Sequence, residues 1–305
     1  MSLKKEDYDM CAIQEPYIDQ HGLSRVNAQW FMVYPSTHLV DPKATRSILL
    51  INTNLLMNNW KQIPIPHPDI TAVILSGLFR KLCIFNIYNN CKNNTALTHI
   101  SNYMHTNPVP HSIIMPTHHL WIGDFNQHHP LWDEPGNSHL FTRANLDLVQ
   151  LLLNMLSSFD MKMALPPPIP TLKSHSTGNH MRVDNMFCNG DLLDLVIKCH
   201  TDDASCPVKT DHYPIITTLD IHTPKAVHAP RLNFHDVDWP EFLNTLKSNL
   251  ANISPPTVIT STDDFNQKLT ALDTAIWDAI NKNVKLSKPS PYSKRWWSTA
   301  LAQDK

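Results

Sequence analysis

Up to about residue 221 the chain is a series of short apolar runs separated by polar stretches rich in Pro, Asn and Asp. Runs of that length with turn residues at their ends predict strands over Met10 to Gln14, Gln29 to Tyr34, Ser47 to Asn52, Ile70 to Leu75 and Leu82 to Tyr88, then Leu120 to Gly123, Val183 to Cys188, Leu192 to Cys199 and Tyr213 to Ile221. Several are apolar without alternation, the pattern of strands covered on both faces. Helical spacing predicts helices over Ala96 to His105 and Phe141 to Ser158, the second with Ala144, Leu148, Leu151, Leu152 and Met155 on one face. Strands and helices interleave irregularly. This predicts an α/β fold, a four-layer sandwich of two mixed, mostly antiparallel sheets flanked by helices.

After residue 221 the strand-like runs cease. Pro224 and Pro230 bracket a linker, and Asp238, Pro240 and Glu241 stand as N-cap, first-turn proline and third position of a helix carrying Trp239, Phe242, Leu243, Leu246 and Leu250. Phe265, Leu269, Leu272, Ile276, Ile280 and Val284 mark a second helix after Thr262. The expected organisation is a main domain over 1–221, a linker over 222–237, a helical appendage over 238–287 and a basic-aromatic tail over 288–305 that contains Trp296 and Trp297.

Composition narrows this picture. The 305 residues, 42% of them hydrophobic, suffice for one sizeable core plus an appendage. Lys and Arg number 25 against 27 Asp and Glu, so there is no global basic field, although a local patch for nucleic acid stays open. Six cysteines without a CxxC pair predict free thiols in a reducing compartment. No apolar stretch resembles a secretory signal or reaches the roughly 18 residues of a membrane span, so the expected location is intracellular, nuclear or cytoplasmic, with no membrane partner. There is no G-x-S-x-G, G-x-G-x-x-G or P-loop string and there are only six glycines, which argues against serine hydrolases and phosphate-cradling nucleotide folds.

Three strings combine a strand end with polar chemistry. In Gln14-Glu15-Pro16-Tyr17 a carboxylate ends an apolar run and the proline stops pairing, which places Glu15 at a strand tip. In Gly123-Asp124-Phe125-Asn126 an acid and an amide stand two positions apart, able to serve one ligand: the Asp for an attacking water, the Asn for a phosphoryl oxygen. An Asx turn uses the same residue types for backbone capping. Arg182-Val183-Asp184 and Lys209-Thr210-Asp211-His212 supply a histidine and a second aspartate that can fix its tautomer, the pairing that stabilises negative charge developing on a phosphate. His118, His119, His128 and His129 flank the Gly-Asp-Phe-Asn string and read as solvated loop residues or contacts to DNA phosphates. Adjacent histidines on a strand would point to opposite faces rather than at one metal.

In order, QE, the Tyr88 of Asn86-Ile87-Tyr88, GDFN, R-x-D and TDH resemble the motif series of the endonuclease/exonuclease/phosphatase superfamily over roughly residues 8 to 221. QEPY, GDFN followed by HHPLW, RVDNMFC and KTDHYPI are most similar to the endonuclease domain of LINE-type, non-LTR retrotransposons of fungi. The resemblance implies a metal-dependent phosphodiesterase that nicks one DNA strand and leaves a 3′-hydroxyl. Glu15 would be the main metal ligand with Asp211 near it, and the ion Mg²⁺ or Mn²⁺. Asp124 would orient or deprotonate the water, Asn126 and Tyr88 would touch the scissile phosphate, and His212, paired with Asp184, would stabilise the transition state. DNA, the divalent metal and a reverse transcriptase domain in the parent element are the implied partners.

Family members open on a strand carrying an Asn, and no Asn precedes Glu15. The resemblance therefore also implies that the first strand and the polymerase are lacking. Losing a central strand would cost on the order of several kcal/mol. The alternatives are an inactive transposon remnant or binding module, and a phosphatase or lipid phosphodiesterase of the same superfamily.

Overall fold

A computed structural model describes residues 3–55, 57–77, 80–107, 117–204, 206, 210–221, 232–255 and 258–286. Lys209, most of the expected linker and the expected tail lie outside them. The chain divides into two compact units, Met1–Ala226 and Val227–Lys305.

The first unit holds thirteen strands among its described residues: β1 Met10–Gln14, β2 Trp30–Val33, β3 Ser47–Asn52, β4 Trp60–Ile63, β5 Ile70–Gly77, β6 Arg80–Tyr88, β7 Thr117–Asp124, β8 Met161–Met163, β9 Leu172–Lys173, β10 His180–Met181, β11 Asp184–Asn189, β12 Val196–Thr201 and β13 Ile215–Leu219. Its helices are α1 Thr95–Thr106, α2 Arg143–Ser158 and the single turn α3 Gly190–Leu193. Six strands form one sheet in the order β4-β5-β6-β7-β11-β8, and smaller sheets are built by β1-β3-β2, β9-β10 and β12-β13. All these pairings are antiparallel except β6 with β7.

Both faces of the large sheet are covered, which explains its unalternating apolar strands. Phe85, Ile87, Trp121 and Phe187 pack against α1 and α2 through Leu97, Ile100, Val149 and Leu152. On the other face Leu82, Ile84, Leu120 and Met186 meet Leu49, Ile51 and Cys199 of the smaller sheets. Phe85, Trp121, Phe125 and Phe187 are completely buried, each contributing roughly 1.5–3 kcal/mol of transfer free energy.

The buried stripe of α2 is Val149, Leu152 and Met155, while Ala144 is exposed and Leu148 partly so, a rotation from the expected face. The Leu148 carbonyl instead accepts from the Asn94 side chain. The expected strand over Leu192 to Cys199 starts late. Asn189-Gly190-Asp191 opens α3, whose Leu192 is buried in the core, and β12 begins only at Val196. Gly123 has φ +139, and a Cβ there would lie 1.9 Å from the Ile87 carbonyl oxygen, so only glycine lets β7 close on β6 at this rung.

The second unit is a helical hairpin of α4 Trp239–Ala251 and α5 Thr262–Asn283. The Asp238 side chain caps α4 by accepting from Glu241 N, and Ser261 caps α5 by accepting from Asp264 N. Phe242, Leu246, Ala279, Ile280 and Val284 form its core with Leu232 and Val237. Leu232 also pairs with Leu286, so residues 232–237 are tied to the hairpin rather than acting as linker. Among the described residues no helix is long and apolar enough to cross a membrane.

Candidate active site

One rung of the large sheet sets three side chains together. Tyr88 ends β6 opposite Asp124 at the end of β7, and Asp124 is in turn opposite Asp184 at the start of β11. Direct cross-strand partners share a face. Each lies an even number of positions from Ile84, Leu120 or Met186, so the rung opens toward the smaller sheets.

Two sharp turns complete the rung. Glu15 and Asn126 both have left-handed backbones, φ 48 and 50, and among the described non-glycine residues only Asp160 shares that conformation. Strained positions of this kind persist where the surrounding structure over-determines them. Glu15 follows β1, donates its backbone N–H to the Arg46 carbonyl at 2.9 Å, and accepts a side-chain hydrogen bond from Tyr88. Asn126 folds back on Asp124, its backbone N–H donating to Oδ1 and its Nδ2 to Oδ2, each at 2.9 Å. The remaining Nδ2 hydrogen goes to the Asn89 carbonyl, also at 2.9 Å. Both amide hydrogens are thereby spent, so the phosphate contact expected of Asn126 is not available in this arrangement; the residue holds Asp124.

His212 reaches the rung from the segment before β13. Leu172 pairs with His212, Lys173 N donates to the Asp211 carbonyl, and Tyr213 N donates to the Thr171 carbonyl, which fixes residues 211–213 along β9. The Thr171 hydroxyl accepts from Asp184 N at 3.0 Å, so one short segment aligns both partners. Asp184 Oδ2 meets His212 Nδ1 at 2.8 Å, while Asp211 Oδ1 lies 4.0 Å from Nε2.

The electrostatics follow from burial and from like and unlike neighbours. Burial, and then the facing Asp184, push the Asp124 carboxyl up to about 8, against the pull of His212 and the Asn126 N–H. Asp184 raises His212 to about 9 against the opposing effect of burial, keeping the imidazolium at neutral pH. Burial, then the bond to Glu15, push the Tyr88 phenol up to about 12, so it remains a donor.

Ligand atoms of Asp124, Asp184 and His212 lie within 4.8 Å of one another, the one such group among the described residues. His212 Nδ1 is already committed to Asp184, so the donors on offer are carboxylate oxygens: those of Asp124, with the charge of Glu15 felt there and Asp211 beside the imidazole. A carboxylate held protonated by burial and by like-charged neighbours is the situation a hard divalent cation relieves. The residues fit such an ion.

Comparison with known proteins bears on the fold. The endonuclease-reverse transcriptase family profile matches residues 82–216, which contain Tyr88, Asp124, Asn126, Asp184 and His212. No curated protein matches the chain in sequence. Among solved structures, the endonuclease domain of TRAS1, a telomere-specific non-LTR retrotransposon, superposes with a TM-score of 0.55 at 16% identity over 72% of this chain and 89% of that one. The chain has the endonuclease/exonuclease/phosphatase fold. An AP endonuclease from Leishmania major shares the fold with a TM-score of 0.55 at 11% identity, over 68% of this chain and 77% of its own. A 3′-5′ exonuclease from Neisseria meningitidis does so with a TM-score of 0.51 at 14% identity, over 70% and 90%. Within this fold the six predicted strand-end residues Glu15, Tyr88, Asp124, Asn126, Asp184 and His212 converge on one end of the sheets, with Asp211 at the rim.

Several further residues support the site or the strands around it, and of these Arg46 and Asp69 carried no signal in the sequence. Arg46 and Asp69 form an ion pair beside Tyr88. Asn86 ties the sheets together, donating to the Ile13 and Ile48 carbonyls and accepting from Gln14. Arg182 is buried, donating to Asn185 Oδ1 and to the Leu165 and Pro166 carbonyls. His118 and His119 are buried within β7, which corrects their reading as loop residues, and burial pushes His119 down to about 4. His128 meets Asp133 at 3.2 Å.

Proposed function

We propose that this protein is a divalent-metal-dependent DNA endonuclease of retrotransposon origin that breaks one strand and leaves a 3′-hydroxyl. The observation that carries this reading is the Asp184–His212 pair at 2.8 Å, with the Asp124 carboxylate in the same rung and held from both sides by Asn126. The family profile and the TRAS1 endonuclease domain support the retrotransposon assignment.

A bound divalent cation supplies positive charge that lowers the proton affinity of Asp124 and polarises a phosphoryl oxygen. Asp124 orients the attacking water and takes its proton as the new P–O bond forms and the P–O3′ bond breaks, the departing O3′ taking up a proton from solvent to become the hydroxyl. His212 is charged up to about pH 9 and presents Nε2 toward the phosphate, where negative charge develops. Asp184 fixes the imidazole so that Nδ1 is spent and Nε2 is free. Tyr88 donates to a phosphoryl oxygen in place of Glu15, which with Asp211 supplies cation ligands. Asn126 keeps Asp124 in one rotamer.

Residues 1–221 would form the nuclease, and the hairpin of 238–287 with the tail of 288–305 would lead toward a reverse transcriptase. The product distinguishes this chemistry from cleavage that leaves a 3′-phosphate. Plasmid relaxed by the protein should prime DNA polymerase extension directly. Extension that requires prior phosphatase treatment contradicts the proposed bond cleavage.

A further inference from the structure

Resting on the phosphodiesterase reading, we propose that Arg46 is an anion-binding residue of this cleft, taking one phosphate of the nucleic-acid backbone on the Glu15 side, opposite His212. Arg46 immediately precedes β3, and its backbone is pinned at both ends: its carbonyl accepts from Glu15 N at 2.9 Å and its N–H donates to the Pro68 carbonyl at 3.1 Å. Nε and Nη2 donate to the two oxygens of Asp69 at 2.8 and 2.6 Å, a fork-on-fork pair that fixes the guanidinium plane. Asp69 is buried, whereas the Arg46 side chain is 35% exposed. The guanidinium carbon lies 4.7 Å from the centre of the Tyr88 ring, and Tyr88 hydrogen-bonds Glu15. The cation is therefore held, by rigid contacts, against the wall formed by two residues of the candidate site.

Arg182 shows what a purely structural arginine looks like in the same molecule. It is 1% exposed and uses Nε, Nη1 and Nη2, each on a protein acceptor. Arg46 leaves Nη1 without a partner among the described residues and remains open to solvent. Charge points the same way. With Asp184 paired to the His212 imidazolium, the carboxylates of Glu15 and Asp211 still face a polyanionic substrate entering the cleft. Asp69, and more weakly Glu15, keep the Arg46 guanidinium cationic, and its open edge lies on the Glu15 side of the cleft. A guanidinium with one edge committed to a buried carboxylate and the other edge open is suited to a phosphate oxygen pair.

The test measures binding of the full chain to a duplex oligonucleotide in EDTA across a salt series, together with nicking kinetics in Mg²⁺, for wild type, Arg46→Ala and Arg46→Lys. Arg46→Ala should lower the slope of log affinity against log salt by about 0.9, the loss of one phosphate contact. It should raise KM for DNA roughly tenfold while kcat stays within about twofold, and methylguanidinium should restore the affinity. Arg46→Lys keeps the charge and should keep the slope, which preserves the test if the alanine variant fails to fold. A folded Arg46→Ala protein with the wild-type slope and KM overturns this inference alone. An Arg46→Lys protein that loses the slope does so as well. Wild-type protein with no affinity for DNA overturns both the inference and the reading beneath it.

Discussion

Asp124 and His212 give the site its pH behaviour, and both shifts point the same way. The folded state raises His212 from 6.5 to about 9, so the pair with Asp184 stabilises the fold fully below pH 6.5 and is lost as pH rises through 9. Asp124, raised from 3.8 to about 8, likewise holds its proton more tightly when folded, a stabilisation present below pH 3.8 and lost as pH rises from there through about 8. In EDTA the melting temperature should therefore fall between pH 3.8 and about 9, with both groups contributing between 6.5 and about 8, and the increment added by Mg²⁺ should grow as pH rises toward 8. A Mg²⁺ increment independent of pH would exclude Asp124 from the ion's site. Replacing Asp184→Asn removes the partner that raises His212; its imidazole titration, followed by NMR, should move down from about 9 toward 6.5, and nicking should drop on the order of 10²-fold or more. An unmoved titration would show that the 2.8 Å contact is not what charges the imidazole. The acid and its histidine were legible in the sequence because R-x-D and TDH name both partners. The roles of Arg46 and Asp69 were not, because an ion pair spanning 23 positions leaves no local pattern.

At the scale of elements, the ends of the strands matter more than their interiors. Gly123→Ala would drive a methyl group into the Ile87 carbonyl and part β7 from β6 beside the rung that aligns Tyr88 with Asp124. The expected loss is at least ~3 kcal/mol in urea unfolding. A variant of wild-type stability would mean the strands are not packed as described. Arg182→Leu should cost about 3 kcal/mol by leaving the Leu165 and Pro166 carbonyls and Asn185 without their donor. A negligible shift in the urea midpoint would show that water replaces the guanidinium. Strands with long apolar runs were legible from periodicity and flanking turn residues. The short β4, β8, β9 and β10 were not: two to four residues carry no period, and they exist because neighbouring strands offer edges. The Leu192 run misled for a related reason, since a buried helical turn and a buried strand look alike over so few residues.

For the whole molecule, a core formed between two layers of sheet brings together residues nearly 200 positions apart, from Glu15 after β1 to His212 before β13. Nothing in the spacing of the motifs encodes that convergence; it follows from the register of β6, β7 and β11 and from packing of the smaller sheets over them. The central claim is that this convergence makes a working metal-dependent nuclease. The most direct measurement is Mg²⁺-dependent relaxation of supercoiled plasmid by the purified chain, with Asp124→Ala and His212→Ala run beside it and folding checked by circular dichroism. The account predicts nicking by the wild type that EDTA and either substitution abolish. A folded wild-type protein that leaves the plasmid supercoiled, or nicking that survives both substitutions, would contradict it.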